Sequence, residues 1–223
     1  MSLRTQVIST FYGRLSCVFM SLVFASTVSA RTITITAESC DEMACISALV
    51  PRLSWAMGGD NKINNAHGTL YFNSNTALFL RFPIKDLIPK GQRITKAELT
   101  IAPNYIAGIP EINVRRLLAE WGSGVCYQYR MTYPQKIEWS QPGARGNSSD
   151  RANKNSATFK FSKVGEQTAD VTEDIELWYT GASPNRGWIF TMDINNWAYF
   201  LSPYSPQSGG SKTWKLQISF EPL

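Results

Sequence analysis

The feature that most constrains this chain is a series of short runs in which apolar and polar side chains alternate with period two, each closed by Gly, Pro or Asn turn chemistry. Residues 31–36 (RTITIT) alternate cleanly. Residues 69–72 and 77–82 (ALFLRF) are separated by Asn73, Ser74 and Asn75, which read as a hairpin turn. Residues 94–101 (ITKAELTI) follow a turn at Pro89, Lys90 and Gly91, and alternate again. The runs at 112–118 (INVRRLL), 157–161 (ATFKF), 188–192 (WIFTM) and 214–220 (WKLQISF) complete a set of roughly eight strands. Successive side chains of a strand point to opposite faces, so each run offers one apolar face that needs another sheet to cover it. The expectation is an all-β sandwich or barrel.

One segment follows a different period. Val171, Ile175 and Trp178 fall on one helical face, with Glu173 and Asp174 near the positive end of the helix dipole. Asp170 followed by Glu173 resembles a capping box, and Gly181 is a stop signal. The pattern predicts one short helix at about residues 171–180, laid over the mouth of the sandwich.

Residues 1–30 read as a secretory signal. Arg4 and Arg14 form a basic start, residues 15–25 (LSCVFMSLVFA) an apolar core, and Val28, Ser29 and Ala30 a cleavage site. The expected mature chain is residues 31–223, a single domain that is exported to the extracellular space, the cell surface or the periplasm. The apolar run is too short to span a bilayer comfortably, and no transmembrane segment is expected elsewhere. The signal carries two arginines and no acids, which leaves 20 basic against 17 acidic residues, a net charge of +3. Those charges are scattered, which argues against a nucleic-acid footprint. A single histidine, His67, excludes two-His metal motifs and sits in an Asn/Gly-rich loop. Of the mature cysteines, Cys40 and Cys45 can close a local loop and leave Cys126 unpaired, which makes a disulfide-linked dimer an expected alternative. No catalytic pattern such as G-x-S-x-G is present, so no enzyme is expected, although two carboxylates for glycoside cleavage are not excluded by sequence.

The order of the motifs is similar to a known family. Residues 79–101 (FLRFPIKDLIPKGQRITKAELTI) resemble a segment of DNRLRE-type domains, which are related to the family 96 carbohydrate-binding modules. Residues 114–121 (VRRLLAEW), 139–143 (WSQPG), 170–178 (DVTEDIELW) and 184–188 (PNRGW) follow in the family's order, so the resemblance covers about residues 67–220. It implies a jelly-roll-type β-sandwich that is exported and attached to carbohydrate-active or cell-surface proteins. Two positions differ from the family: Gly143, Ala144 and Arg145 stand where Gly-Gly-Asp is common, and Pro83 stands at an acidic position.

Ligand contacts are expected from aromatic rings in irregular segments. A pyranose packs its C–H face on an aromatic plane while its hydroxyls bond nearby polar groups. Tyr127, Tyr129, Tyr133 and Trp139 lie in such segments, and Arg130, Arg145, Arg151 and Lys154 beside them suit a uronate or a sulfated sugar. Trp197, Tyr199 and Tyr204 are further rings of this kind. Arg81, if turned inward, needs an acidic or carbonyl partner. No cofactor is expected. Structural calcium stays open, although residues 60–62 and 147–150 do not form an EF-hand pattern. The functional expectation is a non-catalytic polysaccharide-binding protein, with an anionic polymer preferred. The alternative is a structural or adhesive envelope or matrix protein that binds no sugar.

Overall fold

The structure, a computed structural model, describes residues 29–36, 42–53, 55–57, 69–85, 87–193, 196–201 and 214–223. Residues 1–28 of the signal pattern, Cys40, residues 60–62, His67 and Tyr204 lie outside the described residues. The elements run β1 (Arg31–Thr36), β2 (Glu42–Ser47), β3 (Trp55–Met57), β4 (Thr69–Asn73), β5 (Thr76–Arg81), β6 (Gln92–Ile101), β7 (Tyr105–Ala107) and β8 (Glu111–Arg116). They continue with β9 (Tyr129–Met131), β10 (Ile137–Glu138), β11 (Ala157–Lys160), β12 (Gln167–Asp170), α1 (Thr172–Thr180), β13 (Trp188–Met192), β14 (Trp197–Leu201) and β15 (Trp214–Pro222).

The strands pair antiparallel into a six-stranded sheet β11-β8-β13-β5-β2-β3, a four-stranded sheet β1-β15-β6-β12 and a three-stranded sheet β4-β14-β7. A two-stranded ribbon, β10-β9, stands apart. Inward residues of all three large sheets share one core: Leu78, Val114 and Phe190 from the six-stranded sheet, Leu99 and Leu216 from the four-stranded, Phe72 and Phe200 from the three-stranded. Trp214 joins them, its ring 5.3 Å from Phe190 and 4.8 Å from Phe200. This is the β-sandwich with one short helix that the alternation implies.

The six-stranded sheet departs from simple alternation at its centre. In β5, Leu78 and Leu80 enter the main core, while Ala77 and Phe79 enter a second apolar cluster on the opposite face. In β2, Met43 and Cys45 face one way and Ala44 and Ile46 the other. A strand buried on both faces reads as a continuous apolar run rather than an alternating one, which is why β2 carries no period-two signal. The cover on that outer face is the long connection after β8, through Leu117, Trp121, Val125, Trp139 and Ala144.

The helix starts one residue later than the capping-box pattern implies. Its N-cap is Val171, with no side-chain cap bond. Asp170 is the last residue of β12, paired with Glu98, which places it one residue before the N-cap position. Its carboxylate instead accepts the Thr172 N–H at 2.8 Å, and that bond with the Thr172 hydroxyl holds the carboxyl below its usual value. The Thr172 hydroxyl accepts the Ala97 N–H at 2.8 Å and ties the helix to β6. Val171, Ile175 and Trp178 are buried as the period predicts, and Gly181 ends the helix in the left-handed conformation at φ 77°.

Gly187 sits just before β13 at φ 76°, and a Cβ there would lie 2.3 Å from the Leu80 carbonyl oxygen. The obstacle is backbone and cannot swing aside. Gly187→Ala is therefore expected to destabilise the fold by more than about 1 kcal/mol, read as a lowered midpoint in urea denaturation.

Charged side chains close the ends of the strands. Arg81 of β5 pairs with Glu42 of β2 and with Glu120 at 2.8 Å, and its guanidinium lies 5.5 Å from the Trp121 ring centre. Those are the acidic partners that an inward arginine requires. Asp174 of the helix accepts the Trp188 Nε1–H at 2.6 Å and pairs with Arg116 at 2.9 Å. Burial raises its carboxyl above the usual value, against the pull of Ser156, Trp188 and Arg116.

Candidate functional site

The segment from 117 to 155 positions the site because it must fold back over an apolar sheet face. Trp139 anchors it. Its ring stacks on Phe79 at 5.5 Å and 26°, and its Nε1–H donates to the Cys126 carbonyl at 2.9 Å. Asp150, 2% exposed, organises the turn that follows. Its carboxylate accepts the backbone N–H groups of Ser140 at 2.9 Å, Gln141 at 3.0 Å and Gly146 at 3.0 Å. Gly143 and Ala144 then take positive φ values of 78° and 55°, and the Gly143 N–H donates to the Tyr127 carbonyl at 2.6 Å. The turn ends with the Arg145 guanidinium 6.0 Å from the Tyr127 ring centre and bonded to the Ser74 carbonyl at 3.1 Å.

Between this turn and the outer face of β5 and β13 lies a cavity of about 80 Å³. Tyr127, Arg145, Arg151, Thr76, Thr191 and Asp193 are among its lining residues. Arg151 is half-buried and its guanidinium is held below its ordinary value, first by burial, then by the like charges of Arg115 and Arg145, with Asp193 and Asp150 acting the other way. An arginine remains protonated throughout the physiological range. Three guanidiniums, of Arg115, Arg145 and Arg151, thus stand against two carboxylates, of Asp193 and Asp150, and the local net charge is positive.

A polar ladder on β8 steadies this charge. Asn113 donates to the Asp193 carboxylate at 3.0 Å, Asn155 donates to Asn113 Oδ1 at 2.6 Å, and Arg115 Nε donates to Asn155 Oδ1 at 2.6 Å. Thr158 adds a bond to Asn113 Oδ1 at 3.0 Å. Side chains held this way lose little further freedom when a ligand binds.

The structure brings together three of the eight residues expected from sequence, Tyr127, Arg145 and Arg151. Trp139 is corrected: at 4% exposure its ring belongs to the second core and offers no face to a sugar. Tyr129 lies in β9 with the Lys136 ammonium 5.9 Å from its ring centre. Arg130 donates to the Glu120 carbonyl at 2.8 Å. Tyr133 is 73% exposed beside the cis Tyr133–Pro134 bond. Lys154 pairs with Glu173 at 2.8 Å and lines a different cavity, of about 150 Å³, between the helix and residues 152–156. Arg116–Asp174 and Lys154–Glu173 neutralise one another there. Asp193, Arg115 and Asn113 were not foreseen. The outward positions Asn113 and Arg115, alternating with the inward Ile112 and Val114, were the signal for two of them.

Among the described residues no disulfide forms: Cys45 and Cys126 are both free thiols, and both are buried. Burial pushes the Cys45 thiol up to about 12. Among the described residues, no three His, Cys, Asp or Glu side chains converge as a metal site. No helix among them is long and apolar enough to cross a membrane. No protein-family model matches the chain, and comparison with curated proteins gives no match.

Proposed function

We propose that this chain is an exported, non-catalytic polysaccharide-binding protein, and that the pocket of Tyr127, Arg145, Arg151 and Asp193 takes an acidic substituent of the polymer. The observation that carries this reading is the convergence of guanidiniums at one small cavity on the outer sheet face. A volume of about 80 Å³ is room for a few water molecules, which matches a carboxylate or sulfate group and is too little for a whole sugar ring. The ring itself would lie outside, against Tyr127 and the exposed Arg145. Guanidinium–oxyanion bonds supply both geometry and charge, and Asp193 accepts a neighbouring hydroxyl. The resemblance to DNRLRE-type domains and the signal pattern agree with this reading.

Affinity electrophoresis in gels cast with alginate or a sulfated galactan tests the site. Arg151→Ala is expected to weaken retardation about tenfold or more, the loss of roughly 1.5–3 kcal/mol for a hydrogen bond to a charged group. Unchanged retardation by a folded Arg145→Ala/Arg151→Ala double variant would place binding elsewhere.

A further inference from the structure

The three-stranded sheet carries a feature that the arginine pocket does not use. Tyr71 of β4, Tyr199 of β14 and Tyr105 of β7 are directly opposed in register, so their side chains form one row across the sheet. Ring centres are 5.2 Å apart for Tyr71–Tyr199 and 5.5 Å for Tyr105–Tyr199. Trp197, two residues along β14, points to the same face. Tyr71, Tyr105 and Trp197 are 41%, 50% and 41% exposed. The alternate residues Leu70, Phe72, Ala198 and Phe200 fill the core, so the outward rings are not needed to hold the sandwich together.

We propose that this row is a second glycan-contact face, which takes an uncharged segment of polysaccharide by stacking its C–H faces on successive rings. Charge decides against an acidic polymer here. Apart from the tyrosine hydroxyls, the residues placed on this face beside the row, Asn73, Trp197 and Ala107, carry no ionisable group. Aromatic planes with hydroxyl and amide groups at their margins match a neutral sugar, which is apolar on one face and rich in hydroxyls at its edge. The topology favours a polymer over a single sugar. β4 and β7 are the two edges of the sheet, so the row runs from edge to edge and offers successive rings to more than one sugar unit. The rings are tilted by 46° and 56° to one another. They form a stepped track for a twisted chain rather than a flat plate for a planar ligand or a flush protein interface.

This inference rests on the reading of the chain as a polysaccharide-binding protein, but the two sites fail separately. The full-length protein is run in gels cast with hydroxyethyl cellulose, xyloglucan or galactomannan, and in parallel with alginate. The wild type is expected to be retarded by at least one neutral polymer, with little dependence on salt. Tyr199→Ser and Trp197→Ser are each expected to lose about tenfold in that affinity while keeping alginate retardation. The Arg145→Ala/Arg151→Ala variant is expected to show the reverse. If Tyr199→Ser does not fold, the edge variant Tyr105→Ser decides in its place. The inference is overturned by the absence of retardation in every neutral gel. Retardation unchanged in the folded aromatic variants overturns it too, as does a concentration-dependent dimer in sedimentation that Tyr105→Ser dissociates.

Discussion

Trp139→Ala is expected to lower stability by about 4 kcal/mol. The ring is 4% exposed, stacked on Phe79 and bonded through Nε1 to the Cys126 carbonyl. Truncation removes one of the two tryptophan contacts between the 117–155 segment and Phe79 on the outer face of β5, and leaves a void that a turn pinned by Asp150 cannot collapse into. The cost has three parts: lost burial, an empty volume and an unmade hydrogen bond. The check is a urea denaturation curve followed by near-UV circular dichroism, in which the midpoint should fall with little change in slope. A variant that kept wild-type stability and lost only polysaccharide retention would make Trp139 a surface ring after all.

Asp150→Ala is the second large effect, about 3 kcal/mol. Three backbone N–H groups converge on this carboxylate, two of them, from Gln141 and Gly146, on one oxygen. Ser140 and Gln141 are exposed and can turn to water, whereas Gly146 is buried and loses its partner outright. The conservative variant separates the contributions. An asparagine that keeps its carbonyl on Gln141 and Gly146 turns its amide N–H₂ toward the Ser140 N–H, so Asp150→Asn should cost about half as much as Asp150→Ala. Both variants should also weaken acidic-polymer binding, because the same turn carries Gly143 and Arg145 against Tyr127. Thermal melts paired with affinity electrophoresis read both effects. Loss of stability with binding intact would separate this turn from the pocket.

How much of this was legible in the sequence depends on which faces of each strand are buried. β13 appears with the bounds its alternation implies, and β1 likewise. β2 was invisible because Met43 to Ile46 are buried on both faces and show no period. The run ALFLRF at 77–82 held a clue, since consecutive apolar residues in a strand demand cover on both sides. That cover comes from a turn-rich, polar stretch with two buried tryptophans, Trp121 and Trp139, of which Trp139 reads locally as a loop ring. The same long-range contact explains the site. Arg145 and Arg151 were visible as basic residues near an aromatic, but Asp193 joins them only because β13 runs beside β5 and β8. Lys154, three residues from Arg151, turns instead to Glu173 of the helix. Sequence proximity could not distinguish those two destinations.

Recognition of an acidic group on a polysaccharide by the outer-face arginine pocket is the proposal on which the function rests. Its most direct test is the retardation of the wild-type protein in matched gels of an acidic polymer and of its carboxyl-reduced, neutral counterpart, each run at low and at high salt. Stronger retardation by the acidic form is expected, with a decline of that excess as salt screens the guanidiniums. Equal retardation by the two forms, or none by either, would contradict it.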